Sequence, residues 1–281
     1  MNPVEKVKST FCAVGSMLPN LLLLAQGDEL RACFLTALTY TAKMYDLDFP
    51  ACRYRVAQDM LTLGIAINDH YDVGYLDTKN YRQSRQSVCA HPFNQEQYRV
   101  YFKTIRKIER GRPSPGNPQD CIAYRKQLNL VSLAINCSFA FQVPLEDMIN
   151  TQPQVSLKKT TPVWFQPLFH TIMALQVVDD MVGYRGDFLN NRPSFFTAFN
   201  KSQGEDLSNS NCVRQHFAQM EELFCTYFNQ AKEGDSDYIY PFALASNFIH
   251  CFLPPMAEFS RRPILRHITP HFLTIRDTAN G

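Results

Sequence analysis

The chain has 281 residues, enough for one large domain or two small ones, and with 45% hydrophobic and 12% aromatic residues it can build a sizeable core. A formal net charge of +2 argues against a nucleic-acid-binding surface as the main function, and nine irregularly spaced cysteines, without a CxxC pair or a Cys/His cluster of zinc spacing, exclude a disulfide framework and fit a reducing, intracellular setting. The apolar run near the N-terminus, Leu21 to Ala25, is far too short to span a bilayer and no signal peptide is recognisable, so a soluble, cytoplasmic protein without a membrane span is expected.

Residues 1–20 are mixed in character, with Pro3 and Pro19 as breakers, and read as a loose or capping segment. From Asp28 a helix is expected. Asp28 and Glu29 suit a first turn, and Leu30, Cys33, Phe34, Ala37, Leu38 and Thr41 recur at helical spacing. A second helix is predicted from Ala51 to Tyr75, ending in Asn68-Asp69-His70-Tyr71-Asp72. Residues 77–97 are polar and read as a loop or short helix, whereas Gln95 to Arg110 is amphipathic and basic. The stretch Gly111-Arg112-Pro113-Ser114-Pro115-Gly116-Asn117-Pro118 is a break. It reads as a helix connection rather than a domain linker, because the apolar pattern resumes at once over Asp120 to Phe141.

Leu145 to Ile149 is a short piece, and from Val163 a helix runs through Gln176 into an acidic stretch that Asn190-Asn191-Arg192-Pro193 ends. Ser194 to Asn200 reads as a short helical segment and Ser202 to Asn211 as a polar loop. Cys212 to Ala231 is an amphipathic helix, Gly234 to Asp237 a turn, and Tyr238 to Leu253 a final apolar helix, followed by Pro254-Pro255 and a short basic segment to Arg266. No strand alternation persists, and there is neither a Gly-rich phosphate loop nor an internal repeat. The prediction is an all-α chain of about ten helices in one domain, residues 1–281.

Two acidic stretches carry the chemistry. Asp179, Gly183 and Asp187 are spaced i, i+4, i+8; each step of four advances about 40° around a helix, so the three share one face, and Asp180 and Asp187, seven apart, lie closer still. Carboxylates on the core side of an apolar helix are costly unless a cation sits there. Mg²⁺ takes oxygen ligands and is completed by waters and substrate phosphates. Asp69 and Asp72, at i, i+3 on the helix that ends the first stretch, share a side in the same way. Candidate cations are Arg125 and Lys126 at the start of a long helix, Arg185 and Arg192 in and just after the second acidic stretch, and Arg261 and Arg262 after the last helix; beside carboxylate-bound Mg²⁺ they would suit a diphosphate, since arginine matches phosphate oxygens bidentately.

In these residues the chain resembles a class I terpene synthase of the compact, single-domain fungal or microbial type. The family's Asp-Asp-x-x-Asp motif is similar to Asn68-Asp69-His70-Tyr71-Asp72, and its Asn/Asp-Asp-Leu/Ile-x-Ser/Thr-x-x-x-Glu motif to Asp179-Asp180-Met181-Val182-Gly183-Tyr184-Arg185-Gly186-Asp187. The diphosphate-sensing arginine resembles Arg125 in Ala123-Tyr124-Arg125-Lys126, and the C-terminal Arg-Tyr pair resembles Arg262-Pro263 after Ser260-Arg261. Four positions depart from the pattern: Asn68 stands for Asp, Gly183 for Ser/Thr, Asp187 for Glu and Pro263 for Tyr. Comparable degeneracy occurs in some noncanonical fungal sesquiterpene synthases.

The resemblance implies a single-domain bundle of helices around a central cavity and a lyase that ionises a prenyl diphosphate, farnesyl diphosphate first, releases diphosphate and cyclises the cation. It implies up to three Mg²⁺ ions, with Mn²⁺ as a substitute, at Asn68, Asp69, Asp72, Asp179, Asp180, Gly183 and Asp187, the glycine leaving a place for water. Arg125, Arg185 and Arg262 would bond the diphosphate, and Tyr71, Phe169, Phe195, Phe196 and Phe248 would line the pocket for the cation. Loops 77–97 and 201–211 would close over its mouth. A homodimer is a further expectation. A trans-prenyltransferase or squalene synthase-like coupling enzyme shares the fold, and a catalytically inactive helical partner subunit is the alternative of another class, with Asn68 as its main support.

Overall fold

The computed structural model describes residues 3–20, 23, 29–200, 210–235, 237, 239–252, 262 and 264–270. The chain is all-α, as the periodicity predicts. Its helices are α1 (Pro3–Met17), α2 (Glu29–Met44), α3 (Ala51–Val73), α4 (Thr78–Val88), α5 (Pro92–Arg110), α6 (Pro118–Phe141), α7 (Leu145–Met148), α8 (Phe165–Leu189), α9 (Ser210–Gly234) and α10 (Ile239–Phe252). Residues 264–270 are also helical, and Thr197–Phe199 forms a single 3₁₀ turn. No helix among the described residues is long and apolar enough to cross a membrane.

Two local expectations change. The N-terminal segment is helical rather than loose, for Pro3 sits at the helix start, where its missing N–H costs nothing. Of the two alternatives for the polar stretch after α3, residues 78–88 take the short helix, because Asp77 caps it, its side chain accepting from the amides of Lys79 and Asn80. One two-residue antiparallel ladder, β1 (Ile149–Asn150) against β2 (Ser156–Leu157), closes the turn after α7. The Ser202–Asn211 loop falls, up to residue 209, outside the described residues.

The chain divides into two compact units, each assembled from segments distant in sequence. The first comprises Ser16–Gly111 and Gln127–Phe165. Its core is built from Phe34, Leu35, Leu38 and Tyr40 of α2, Met60 and Leu63 of α3, Tyr101 and Ile105 of α5, and Leu130, Val131, Leu133, Ile135 and Phe139 of α6. Phe141 packs edge-on against Trp164 and Phe49. Helix α3 ends cleanly after the first acidic stretch because Gly74 takes φ +71°, the left-handed cap that favours glycine.

The second unit comprises residues 1–15, 112–126 and 166–281. Its core holds Leu168, Phe169, Ile172, Met173, Val177 and Val178 of α8, Phe195 and Phe196 after it, and Phe217, Met220, Phe224 and Phe228 of α9, with Phe242 and Leu244 of α10. Residues 112–117 are tied to the turn after α8: the Gly116 amide donates to the Thr197 carbonyl at 2.9 Å. Gly116 has φ +93°, and a Cβ there would stand 2.9 Å from the Asn200 carbonyl oxygen. Both the conformation and the space therefore require glycine. The contact joins the segment that leads into Arg125 to the segment that carries Phe195. Gly116→Ala is expected to lower stability by about 1–3 kcal/mol, read by urea unfolding; an unchanged midpoint would show that this loop is not held as described.

Candidate metal and diphosphate site

Helix α8 is mostly apolar and buried up to Val178, and then changes character. Asp179 is exposed, Asp180 is 2% exposed, Gly183 is exposed, and Asp187 is half-buried. The helix thus turns one acid outward and one inward. Asp180 is held on every side. Arg125 Nη2 donates to its Oδ1 at 3.0 Å, Gln176 Nε2 donates to the same oxygen at 2.8 Å, and the Phe195 amide donates to Oδ2 at 2.7 Å. Gln176 Nε2 also reaches Asp179 Oδ2 at 3.0 Å. The guanidinium of Arg125 lies 3.7 Å from Asp187 Oδ2, so one cation stands between two acids of the same helix.

Electrostatics separate the two acids. Burial pushes the Asp187 carboxyl up to about 6, helped by the negative charge of Asp180 and opposed by Arg125, Ser194 and Arg192. Asp180 is also raised by burial, but Arg125, the Phe195 amide and Gln176 all favour its ionised form. For Arg125, burial works against the charge and the carboxylates of Asp180 and Asp187 outweigh it, so its pKa is raised.

The remaining expected residues fall as follows. In the first unit Asn68 and Asp69 are exposed and Asp72 is half-buried, with Asn68 Nδ2 donating to Asp72 Oδ2 at 2.9 Å. Tyr71 is half-buried beside the ring of His70. In the second unit Arg185 is exposed and lies on its own neighbour, Nε donating to Tyr184 Oη at 2.9 Å. Phe169, Phe195 and Phe196 are buried. Phe196 packs against Tyr184, His216 and Phe217, with ring centroids 4.9, 4.8 and 5.6 Å away. Arg262 is helical and exposed. The side chain of Phe248, together with Ser260, Arg261 and Pro263, lies outside the described residues.

Sequence reasoning missed Gln176, Ser194 and the Phe195 amide. Gln176 was findable, since it precedes Asp179 and Asp180 by three and four residues, the spacing of helix neighbours. The amide of Phe195 carries no signal in its side chain. Sequence reasoning also gave Asp180 to a metal, whereas here both of its oxygens are occupied within the protein.

The donor set fits a divalent cation in part. Asp179 is exposed, with Gln176 on one of its oxygens, Asp187 is half-buried, and hard oxygen donors of this kind suit Mg²⁺. Gly183 between them offers no donor, and a Cβ there would meet nothing within 4 Å. Among the described residues no group of three or more His, Cys, Asp or Glu side chains is gathered at metal-binding distance. One or two carboxylates completed by phosphate oxygens is the usual arrangement for Mg²⁺. The chain matches no protein-family model, no curated protein and no solved structure.

Removing Arg125 leaves Asp180 as an unpaired buried charge. Arg125→Met should therefore cost about 3 kcal/mol, and Asp180→Leu in the same chain should recover much of it; equal stability of parent and single variant in urea would show that the pair is not formed. Asp187 holds a proton in the folded chain that the unfolded chain has already released between pH ~4 and ~6. Its contribution is full below about pH 4 and is lost as pH rises through about 6. Asp187→Asn abolishes that loss, so its stability advantage over the parent should grow by up to about 3 kcal/mol between pH 4 and 7. A difference that stays constant over this range would contradict the raised value.

Proposed function

We propose that the protein is a cytoplasmic, Mg²⁺-dependent class I terpene cyclase that ionises a linear prenyl diphosphate, farnesyl diphosphate first, and releases diphosphate. The observation that carries the reading is Arg125 fixed by Asp180 and 3.7 Å from Asp187, on the helix that also presents Asp179. Ionising an allylic diphosphate requires stabilisation of the departing anion rather than a protein nucleophile. Mg²⁺, when bound, supplies that stabilisation as a Lewis acid.

The chain's own contribution is positioning. Asp180 orients Arg125 before substrate arrives, so little reorganisation remains for the moment of reaction. Asp179 and Asp187 are the carboxylates of α8 that would hold metal; Asp69 and Asp72 of α3 are the acids proposed for the first motif. Asp187 must lose its proton to bind a cation, so metal affinity rises with pH through about 6. Arg185 and Arg262, both exposed, would receive diphosphate oxygens. Of the rings expected beside the cation, Phe169, Phe195 and Phe196 are buried in the second unit, and their aromatic faces would stabilise a carbocation there and exclude water.

Incubation of the purified protein with geranyl, farnesyl and geranylgeranyl diphosphate, with Mg²⁺ and then with EDTA, tests the reading by gas chromatography and mass spectrometry. A cyclic hydrocarbon or alcohol lost with EDTA is expected. Asp179→Ala and Asp187→Ala should each abolish it with helical content intact, and Gly183→Ser, which has room for its side chain, should lower the Mg²⁺ needed for half-maximal rate. Full activity in both alanine variants would overturn the assignment of α8.

One observation favours a second reading, a catalytically inactive helical subunit. Asp180 is engaged by Arg125, Gln176 and the Phe195 amide, so this acid has a structural use without chemistry. Calorimetric titration with Mg²⁺ and pyrophosphate separates the readings: heat of binding supports the enzyme, and its absence supports the subunit.

A further inference from the structure

We propose that the groove between α4 and α5, in the first unit, binds a small organic phosphate with an aromatic body, about the size of a nucleoside monophosphate. The proposal does not rest on the reading of α8. The groove encloses about 340 Å³, at the lower end of the range for small-molecule sites. Arg85 of α4 and Arg99, Lys103 and Arg106 of α5 converge on it. The last three are spaced i, i+4, i+7, so the helix repeats like charge along one side, which weakens it unless an anion is present. Among the described residues none of these four cations forms an ion pair with a carboxylate, and no acidic side chain lines the groove.

Its floor is aromatic. Tyr98 is buried, Tyr81 and Phe102 are half-buried, and the hydroxyls of Tyr81 and Tyr98 lie 3.3 Å apart. The rings of Tyr98 and Phe102 are stacked, with centroids 5.9 Å apart. Cations alone would suit any polyanion; cations over aromatic rings suit a phosphate joined to a flat body that stacks. Cys89 also lines the groove. Burial raises its pKa despite Arg85 and Arg99, so it serves as an apolar wall and not as a nucleophile.

Calorimetric titration of the full chain at low salt with AMP, inorganic phosphate and adenosine tests this, with vesicles of anionic phospholipid as a further arm. AMP should bind at least about tenfold more tightly than phosphate or adenosine, with affinity falling as salt rises. Arg99→Ala and Arg106→Ala, both at exposed positions, should weaken AMP by about tenfold each without changing the melting temperature. Phe102→Leu should weaken AMP and leave phosphate unchanged. Asp179→Ala should leave AMP binding intact, which separates this site from α8. Equal affinity for AMP and phosphate, no binding of AMP, or capture by vesicles without AMP binding would each overturn the proposal.

Discussion

The pairing of Arg125 with Asp180 is the interaction on which the acidic end of α8 depends. An aspartate 2% exposed within an apolar helix is untenable alone. The guanidinium, a side-chain amide and a backbone amide together supply what water would have given it. None of the three donors is near another in sequence, except that Gln176 lies one helical turn before the acid. The residue therefore fastens three separate pieces of chain, α6, α8 and the segment after Pro193, at one point.

That fastening explains several features at a distance from it. The Phe195 amide can reach Asp180 only if the chain reverses directly after α8. Asn191 takes a left-handed conformation there with φ +50°, and the Arg192 amide closes on the Asp187 carbonyl. Thr197 then bonds back to the Arg192 carbonyl and receives the Ser194 amide, which holds the turn. Gly116 completes the circuit by letting the loop before α6 approach Thr197 and Asn200. A small set of backbone constraints thus sets the position of one arginine.

Much of this could be read from the sequence in outline. The helices α2, α3, α5, α6, α8, α9 and α10 followed from apolar periodicity, and their ends from Gly, Pro and Asn, because helix formation is decided by local pattern and local breakers. Helix α4 was harder, since its composition is polar and its start depends on the Asp77 cap. The acids of α8 and Arg125 were legible as a group. Their division of labour was not: helical spacing places Asp179 and Asp180 as neighbours, but which of them faces inward depends on the packing of α8, and the Phe195 amide that fixes Asp180 has no side-chain signature.

The division matters for chemistry. A carboxylate that already has its hydrogen bonds satisfied gains little from a cation, whereas one that is crowded by a second acid and held partly protonated gains a great deal. By that measure Asp180 belongs to the scaffold and Asp187 to the exchangeable part of the site. Arg125 serves both: it neutralises Asp180 permanently and Asp187 conditionally. On the proposed reading Asp187 would be the acid free to exchange Arg125 for a cation, while Asp180 keeps the guanidinium oriented.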